Sequence, residues 1–469
     1  MNKIRAAISP PKGRFFLKKT RAVEVSQQLH TVLDIAFITG LVFSLFLGSK
    51  VTPALIIAGA IPLPFLLREL RKNNNTVPKS RLVFPFAAYF AYNIGAYVFF
   101  TGLDTGDIRP INPSYESYII AIVMVVLGAV RGLQTRDLSK LFRYAVPAAL
   151  FVSFIVLTVL MFSEAENQCR VRGAAPWPFI PALLFTTLTL LSYVGWNTFS
   201  KFEKRARVVL LACSIVVVNA YTASRGVAVG QFAAIAALLL LGILGRFSGS
   251  LPNWRNIVVA VAGGVGMSAL IGMATGCGPM TRIQPVIDSA IILLQHAPAP
   301  IANADLSPAT ARQDIPAAAT APSAIHPEAV EKIGDTDQSI SLRLAMWDAS
   351  IAAIKEKPVF GHGALYLQKL ITERFGFEHN HNQYLSWLVT GGLVGLIIGL
   401  AFLATPWLIS VGLGVPDRMI ILIAVTLLWG VAMMFDSFFN LKFYTHYYSF
   451  LCGVLYAWTC DLRRKRELM

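Results

Sequence analysis

The chain contains about twelve apolar segments, most of them long enough to cross a lipid bilayer as helices, which need about 20 residues each. Only 14% of its residues are charged, whereas soluble domains carry about 25%. The sequence therefore predicts an all-α integral membrane protein with about 12 transmembrane helices. The segments fall at roughly 32–48, 52–67, 83–101, 117–131, 142–162, 177–198, 207–221, 227–245, 256–274, 383–410, 418–436 and 444–460.

The basic residues predict which side of the membrane each connection occupies. The formal net charge is +16, but Lys and Arg are concentrated in the two tails and in alternate connections, so this charge does not indicate nucleic-acid binding. Short connections rich in Lys and Arg stay in the cytoplasm. Both termini are therefore predicted to be cytoplasmic, and the long connection 275–382 to lie outside. The basic groups are Lys3–Arg21, Arg68–Arg81, Arg131–Arg143, Lys201–Arg207, Arg246–Arg255 and Arg463–Arg466.

This topology divides the chain into three regions. Residues 1–274 form a membrane domain with spans 1–9, residues 275–382 a large outer loop between spans 9 and 10, and residues 383–469 a membrane domain with spans 10–12. The loop begins with an amphipathic segment at 281–296 and continues with an Ala/Pro-rich, mobile stretch at 297–335. Apolar residues at helical spacing predict a helix over 338–357 and a second over 364–375, separated by a turn at 358–363.

A run of two histidines and two asparagines stands where the outer loop enters the tenth span. In His379-Asn380-His381-Asn382, a neutral imidazole could take a proton from a hydroxyl group. The two histidines could instead share a metal ion, but neither an HExxH motif nor a carboxylate cluster with ligand spacing accompanies them. If the run is extended, both imidazoles point the same way. Asn382 could cap the following helix. We expect no bound metal.

Three arginines and one aspartate are predicted to share the outer side with the histidines. Arg225 lies between two spans with almost no connection, Arg343 begins a loop helix, and Arg172 precedes the sixth span. Guanidinium groups gathered there could bind a phosphate or pyrophosphate, or each could reach a lipid head group. Asp436, at the outer end of the eleventh span, could orient an imidazole, pair with an arginine or be an exposed acid.

Other polar residues of the outer side carry weaker hypotheses. Cys169 and Cys277 both fall on the outer side, where an oxidising compartment would permit a disulfide. His296, His326 and His362 are interpreted as loop surface.

Four local motifs, in this order along the chain, resemble the O-antigen ligase and O-antigen polymerase superfamily of bacterial envelope glycosyltransferases. The resemblance covers about 220–400, and the order of the motifs matters as much as their content. The motifs are Thr222-Ala-Ser-Arg225-Gly226, Ser339-Ile-Ser-Leu-Arg343-Leu-Ala-Met-Trp347, Pro358-Val-Phe-Gly361-His-Gly363, and His379-Asn-His381-Asn382-Gln-Tyr-Leu385.

This resemblance implies a multi-pass protein of the bacterial inner membrane with its active site in a periplasmic loop. It implies a metal-independent, inverting glycosyltransferase that needs no cofactor. Arg225 and Arg343 would hold the pyrophosphate of the donor, and His381 would be the general base with His379 and Asn382 in support. Arg172 would join the arginines, although Arg172-Gly173 departs from the family pattern.

The resemblance leaves several activities open. The leading one is O-antigen ligase in lipopolysaccharide biosynthesis, with a glycan on undecaprenyl pyrophosphate as donor and lipid A-core as acceptor. The alternatives are an O-antigen polymerase that joins lipid-linked repeats and a protein O-oligosaccharyltransferase. A transporter of lipid-linked sugars is more distant, because the polar residues cluster at one interface rather than in the middle of spans. The expected partners include membrane lipids and exclude nucleic acid.

Overall fold

A computed structural model describes residues 80–105, 113–134, 138–164, 179–222, 224–245, 249–275, 338–377 and 379–467. Every regular element in these ranges is a helix, so the all-α prediction is confirmed for them. In chain order the helices are α1 (Ser80–Thr105), α2 (Pro113–Gln134), α3 (Leu138–Ser163), α4 (Phe179–Leu191), α5 (Lys201–Val216), α6 (Arg225–Ile243), α7 (Trp254–Thr275), α8 (Gln338–Glu356), α9 (Ala364–Phe375), α10 (Gln383–Leu403), α11 (Thr405–Ile409), α12 (Val415–Ala432) and α13 (Lys442–Glu467).

Five of the described helices are long and apolar enough to cross a membrane, namely α3, α6, α7, α10 and α12. Shorter apolar helical stretches cover Ile120–Ala129 in α2 and Ile180–Leu191 in α4. The spans predicted at 32–48 and 52–67 lie outside the described residues, as do the cysteine pair and the Ala/Pro-rich stretch. The total of about 12 spans therefore stays a prediction.

Aromatic side chains pack between α10, α12 and α13 in the membrane domain. Trp429 of α12 is fully buried and lies nearly parallel to Phe439, with ring centroids 6.3 Å apart. The Tyr448 hydroxyl of α13 donates to the main-chain carbonyl of Phe402 in α10, at 3.1 Å. Close packing of this kind is what holds helices together in a bilayer. Because Phe439 lies three residues after Asp436, the cluster also supports the segment that carries this carboxylate.

Helix α10 is interrupted at Gly392, and the outer loop fills the interruption. Gly392 has φ 58° and ψ −153°, a conformation accessible to glycine and strained for other residues. The turn at 358–363 lies against this break, where main-chain groups that leave the helical hydrogen-bond pattern need other partners. The loop and the span are therefore fixed to each other through their backbones. Four hydrogen bonds join them: His362 N to Val389 O (2.8 Å), Gly363 N to Thr390 O (2.9 Å), Leu393 N to Pro358 O (2.8 Å) and Val394 N to Val359 O (3.2 Å).

Basic residues from several of the predicted cytoplasmic connections meet at one end of the helices. Arg81, in the first turn of α1, and Arg463, near the end of α13, both donate to the main-chain carbonyl of Val411. Arg143 of α3 pairs with Glu203 of α5 at 2.5 Å. Val411 follows the C-terminal end of α10, whereas the histidine run precedes its N-terminal end, so Arg81 and Arg463 lie at the end of α10 away from the histidines.

The two loop helices are as predicted, but His362, in the turn between them, is not where the sequence predicted. The periodicity over 338–357 corresponds to α8, and the second predicted helix corresponds to α9. The interpretation of His362 as loop surface is wrong. Its side chain is 6% exposed, its Nε2 lies 2.8 Å from the carbonyl oxygen of Ala353, and its ring stacks on Tyr366. The turn buries this imidazole because its main chain is bonded to α10.

Candidate active site

Two histidines and one aspartate meet at the end of α10 that faces the outer loop. His381 Nδ1 lies 3.3 Å from Asp436 Oδ1, and His379 Nε2 lies 3.5 Å from the same oxygen. The two imidazole centroids are 4.5 Å apart. The three side chains are between 14% and 19% exposed, so they can be reached by a substrate yet are largely removed from water.

The Asp436 carboxylate is held in its ionised form. Burial raises the pKa of this carboxyl, but the hydrogen bonds from His379 and His381 more than offset burial, and the pKa lies well below its usual range. The main-chain N–H of Ser437 donates to the same oxygen at 2.8 Å. An ionised carboxylate favours the His381 tautomer with its proton on Nδ1, which leaves Nε2 as the acceptor nitrogen. That tautomer is the one a general base requires.

The backbone of His381 is in the left-handed region, with φ 53°. It is the one non-glycine residue of the described ranges with a positive φ. Such a conformation costs about 1–2 kcal/mol and persists where neighbouring contacts impose it, often at functional sites. The run is therefore not extended as the sequence argument assumed. The two rings still converge, because both are bonded to Asp436 rather than aligned by strand geometry.

Asn380, between the two histidines, is the buried centre of a hydrogen-bond network that the sequence argument missed. Its side chain is fully buried, and its Nδ2 donates to the hydroxyl of Ser350 in α8 at 3.0 Å. Its Oδ1 accepts from the hydroxyls of Ser386 (2.8 Å) and Ser437 (3.3 Å). Trp347 Nε1 donates to its carbonyl oxygen at 2.9 Å. Asn380 thus joins α8, α10 and the Asp436 segment.

Asn382 caps α10, as predicted. Its Oδ1 accepts from the main-chain N–H groups of Tyr384 (3.0 Å) and Leu385 (3.1 Å). Its Nδ2 donates to the carbonyl oxygen of Met434 at 3.1 Å, and its own N–H donates to the Ser437 hydroxyl at 3.1 Å. The cap therefore also ties the histidine run to the segment that carries Asp436.

Two of the predicted phosphate-binding arginines approach the same segment. Arg343 Nη1 donates to the carbonyl oxygen of Phe435 at 3.3 Å, next to Asp436. Arg225 is the first residue of α6. At the following residue, Gly226, an added Cβ would lie 2.9 Å from Phe435 Cβ, so the start of α6 lies against that residue. Both arginines are partly exposed. Arg172 lies outside the described residues.

The structure brings a carboxylate next to the two histidines, which their sequence spacing did not indicate. No carboxylate cluster with ligand spacing accompanies the histidines in the sequence, but Asp436 reaches them from beyond the end of α12. His379, His381 and Asp436 each offer a ligand atom, and these atoms lie within 4.8 Å of one another. Ligand spacing along the chain is therefore the wrong test for this site, since the third ligand comes from a different element.

Residues 208–400 match the model of a protein family described as O-antigen ligase. The matched interval contains Arg225, Arg343 and the histidine run, and it ends before Asp436. Over these residues the chain is similar to that family, which supports a relationship to the O-antigen ligase and polymerase superfamily. Family members are glycosyltransferase-like enzymes that act on lipid-linked glycans at a membrane.

A curated relative gives a shorter match. The chain is 35% identical over 78 residues to an uncharacterized protein of Haemophilus influenzae, over 14% of this chain and 20% of the relative. The chain thus spans about a fifth of the length of the curated relative that it matches. Because that relative is uncharacterized, the match does not indicate an activity.

The hydrogen-bond network around Asn380 predicts that removing this side chain will slow transfer and destabilise the protein. Asn380→Ala is expected to lower kcat by about tenfold to 100-fold with little change in KM, because Asn380 contacts protein groups and a misplacement of about 1 Å at a reacting group costs about 100-fold. Three buried hydroxyls lose a partner, which lowers the free energy of unfolding by about 1–3 kcal/mol. Steady-state kinetics and thermal unfolding of the purified protein measure both effects.

The matched control is Asn253→Ala, which removes an asparagine at the start of α7 whose Oδ1 accepts from Arg255 N. It should leave kcat unchanged. A large rise in KM at constant kcat in Asn380→Ala would contradict the positioning role.

Proposed function

We propose that the protein is an O-antigen ligase. It transfers a glycan from undecaprenyl pyrophosphate to a sugar hydroxyl of lipid A-core at the periplasmic face of the inner membrane, with inversion and without a metal. The observation that carries this proposal is the pair of imidazoles on one ionised carboxylate, next to the Arg343 guanidinium. Such a site offers a base for an alcohol and positive charge for a departing phosphate.

The chemical step uses His381 as the base. Its Nε2 takes the proton of the acceptor hydroxyl while the oxygen attacks the anomeric carbon of the donor sugar. The bond from that carbon to the pyrophosphate oxygen breaks on the opposite face, and undecaprenyl pyrophosphate leaves with the electron pair. Asp436 stabilises the imidazolium that forms. His379, on the same carboxylate oxygen, adds a second hydrogen bond that keeps the acid ionised.

The arginines act on the leaving group. Arg343 and Arg225 stabilise the negative charge that grows on the pyrophosphate, as preorganised donors do in a site of low dielectric. Arg172 is proposed as a third donor from the segment before the sixth span. The undecaprenyl chain would lie in the bilayer beside the apolar helices, which places the pyrophosphate at the interface where the arginines lie.

A reconstituted assay identifies the acceptor. The purified protein in lipid vesicles is given a labelled glycan on undecaprenyl pyrophosphate together with lipid A-core. Label on lipid A-core supports the ligase. Label on a second lipid-linked repeat would show a polymerase, and label on a protein a protein O-oligosaccharyltransferase. Movement of the unbroken donor across the bilayer without transfer would show a transporter.

Transfer in this assay is expected to continue in the presence of EDTA at full rate. The reason is that the arginines supply the positive charge that a metal supplies in other enzymes acting on pyrophosphates. The rate is measured before and after removal of divalent ions by EDTA and gel filtration. Inactivation that Mg²⁺ or Mn²⁺ reverses would contradict the metal-independent mechanism.

A further inference from the structure

The distances from Asp436 to the two imidazoles of the candidate active site also match the ligand spacing of a tetrahedral zinc site. Zinc binds imidazole nitrogen and carboxylate oxygen at about 2.0–2.2 Å, so two ligands at a tetrahedral angle lie about 3.3–3.6 Å apart. Asp436 Oδ1 is 3.3 Å from His381 Nδ1 and 3.5 Å from His379 Nε2. All three ligand atoms lie within 4.8 Å of one another. If the two imidazoles moved slightly closer together, the three ligand atoms would form one face of a tetrahedral metal site.

We propose that His379, His381 and Asp436 bind a zinc-type divalent cation and that this binding inhibits transfer. The inhibition rests on the proposed function, whereas the binding does not. Two imidazoles and one carboxylate suit Zn²⁺, Cu²⁺ or Ni²⁺, whereas Mg²⁺ and Ca²⁺ prefer oxygen ligands. The partial exposure of the three side chains admits an ion and leaves a fourth position for water.

Inhibition follows from which nitrogen of His381 would hold the metal. Nδ1 is the nitrogen that faces Asp436 Oδ1, so it is the one that would bind the ion beside this carboxylate. A metal on Nδ1 needs the lone pair of that nitrogen, so the ring proton moves to Nε2. Nε2 then has no lone pair and cannot take the proton of an acceptor hydroxyl. The catalytic tautomer and the metal-bound tautomer therefore exclude each other.

The surrounding hydrogen bonds orient the three side chains both for catalysis and for metal binding. Asp436 Oδ1 accepts from Ser437 N at 2.8 Å, and Ser437 accepts from Asn382 N through its hydroxyl at 3.1 Å. Outer contacts of this kind orient metal ligands, and their loss weakens binding by about tenfold to 100-fold. The same contacts that position the base thus also preorganise a metal site.

The test titrates the purified full-length protein, in lipid nanodiscs and without substrates, with Zn²⁺ by calorimetry and with Co²⁺ by its absorption spectrum. We expect one metal ion per chain and the spectrum of a tetrahedral Co²⁺ site. Affinity should fall at least about tenfold in His379→Gln and in Asp436→Asn. The control is His362→Gln, which removes an imidazole outside the site. Mg²⁺ should not bind.

Transfer is then measured with and without Zn²⁺, followed by EDTA. Inhibition at the concentrations that fill the site, reversed by EDTA, supports the proposal. Equal Zn²⁺ affinity in the wild type and both ligand variants, or no binding at all, overturns the site. A filled site with unchanged transfer overturns the inhibition. Because the titration contains no substrate, the binding result stands apart from whether the protein is an O-antigen ligase.

Discussion

His381→Ala is expected to abolish glycan transfer, with a loss of about 100-fold to 10,000-fold in kcat, the range in which a general base contributes. The imidazole Nε2 is the group proposed to take the acceptor proton, and Asp436 is a poor replacement because its lowered pKa makes the carboxylate a weak base. The rate is measured by single-turnover transfer in the reconstituted assay, where binding and chemistry separate.

Alanine at position 381 also meets the left-handed backbone, which could lower stability by itself. His381→Asn avoids this, because asparagine tolerates a positive φ and offers no base. Both variants should lose transfer, and the asparagine variant should keep the thermal stability of the wild type. Transfer at wild-type rate in His381→Asn would contradict the base assignment.

Arg343→Lys is expected to lower kcat/KM by about 100-fold, even though the charge is retained. A guanidinium presents a planar fork that binds two phosphate oxygens, whereas an ammonium group is a point charge. Arg343 also donates to Phe435 O, so its planar group is held beside the Asp436 segment. Steady-state kinetics with the lipid-linked donor measure the effect, and Arg225→Lys should give the same direction of change.

Arg374→Lys is the matched control, since Arg374 is exposed on α9 in the same loop. It should leave kcat/KM unchanged, which would exclude a general effect of replacing arginine by lysine at the membrane surface. Wild-type donor affinity in both Arg343→Lys and Arg225→Lys would refute the pyrophosphate role.

The sequence predicted those features that depend on neighbouring residues. Apolar residues at helical spacing predicted α8 and α9, and the position of Asn382 before an apolar run predicted the cap of α10. Each of these depends on contacts within a few residues along the chain, so the local pattern contains the necessary information.

The features that the sequence argument missed depend on contacts between distant segments. Asp436 lies 55 residues after His381, so the carboxylate could be proposed as an orienting group but its distance to each imidazole could not. Asn380 was assigned no role from the sequence, because the serines that surround it come from three separate segments. The break at Gly392 was hidden in a glycine-rich span, where only the partner segment shows which glycine departs from the helix.

The interruption of α10 has a consequence for biogenesis. In an uninterrupted helix, the main-chain groups of this segment would hydrogen-bond to one another. At the break, some of them bond instead to the turn at 358–363. A buried main-chain group without a partner costs about 1–3 kcal/mol, so α10 reaches its final form only with the turn in place. The turn precedes α10 in the chain and is therefore synthesised before it. Membrane insertion of this span and folding of the outer loop are thus coupled steps of assembly.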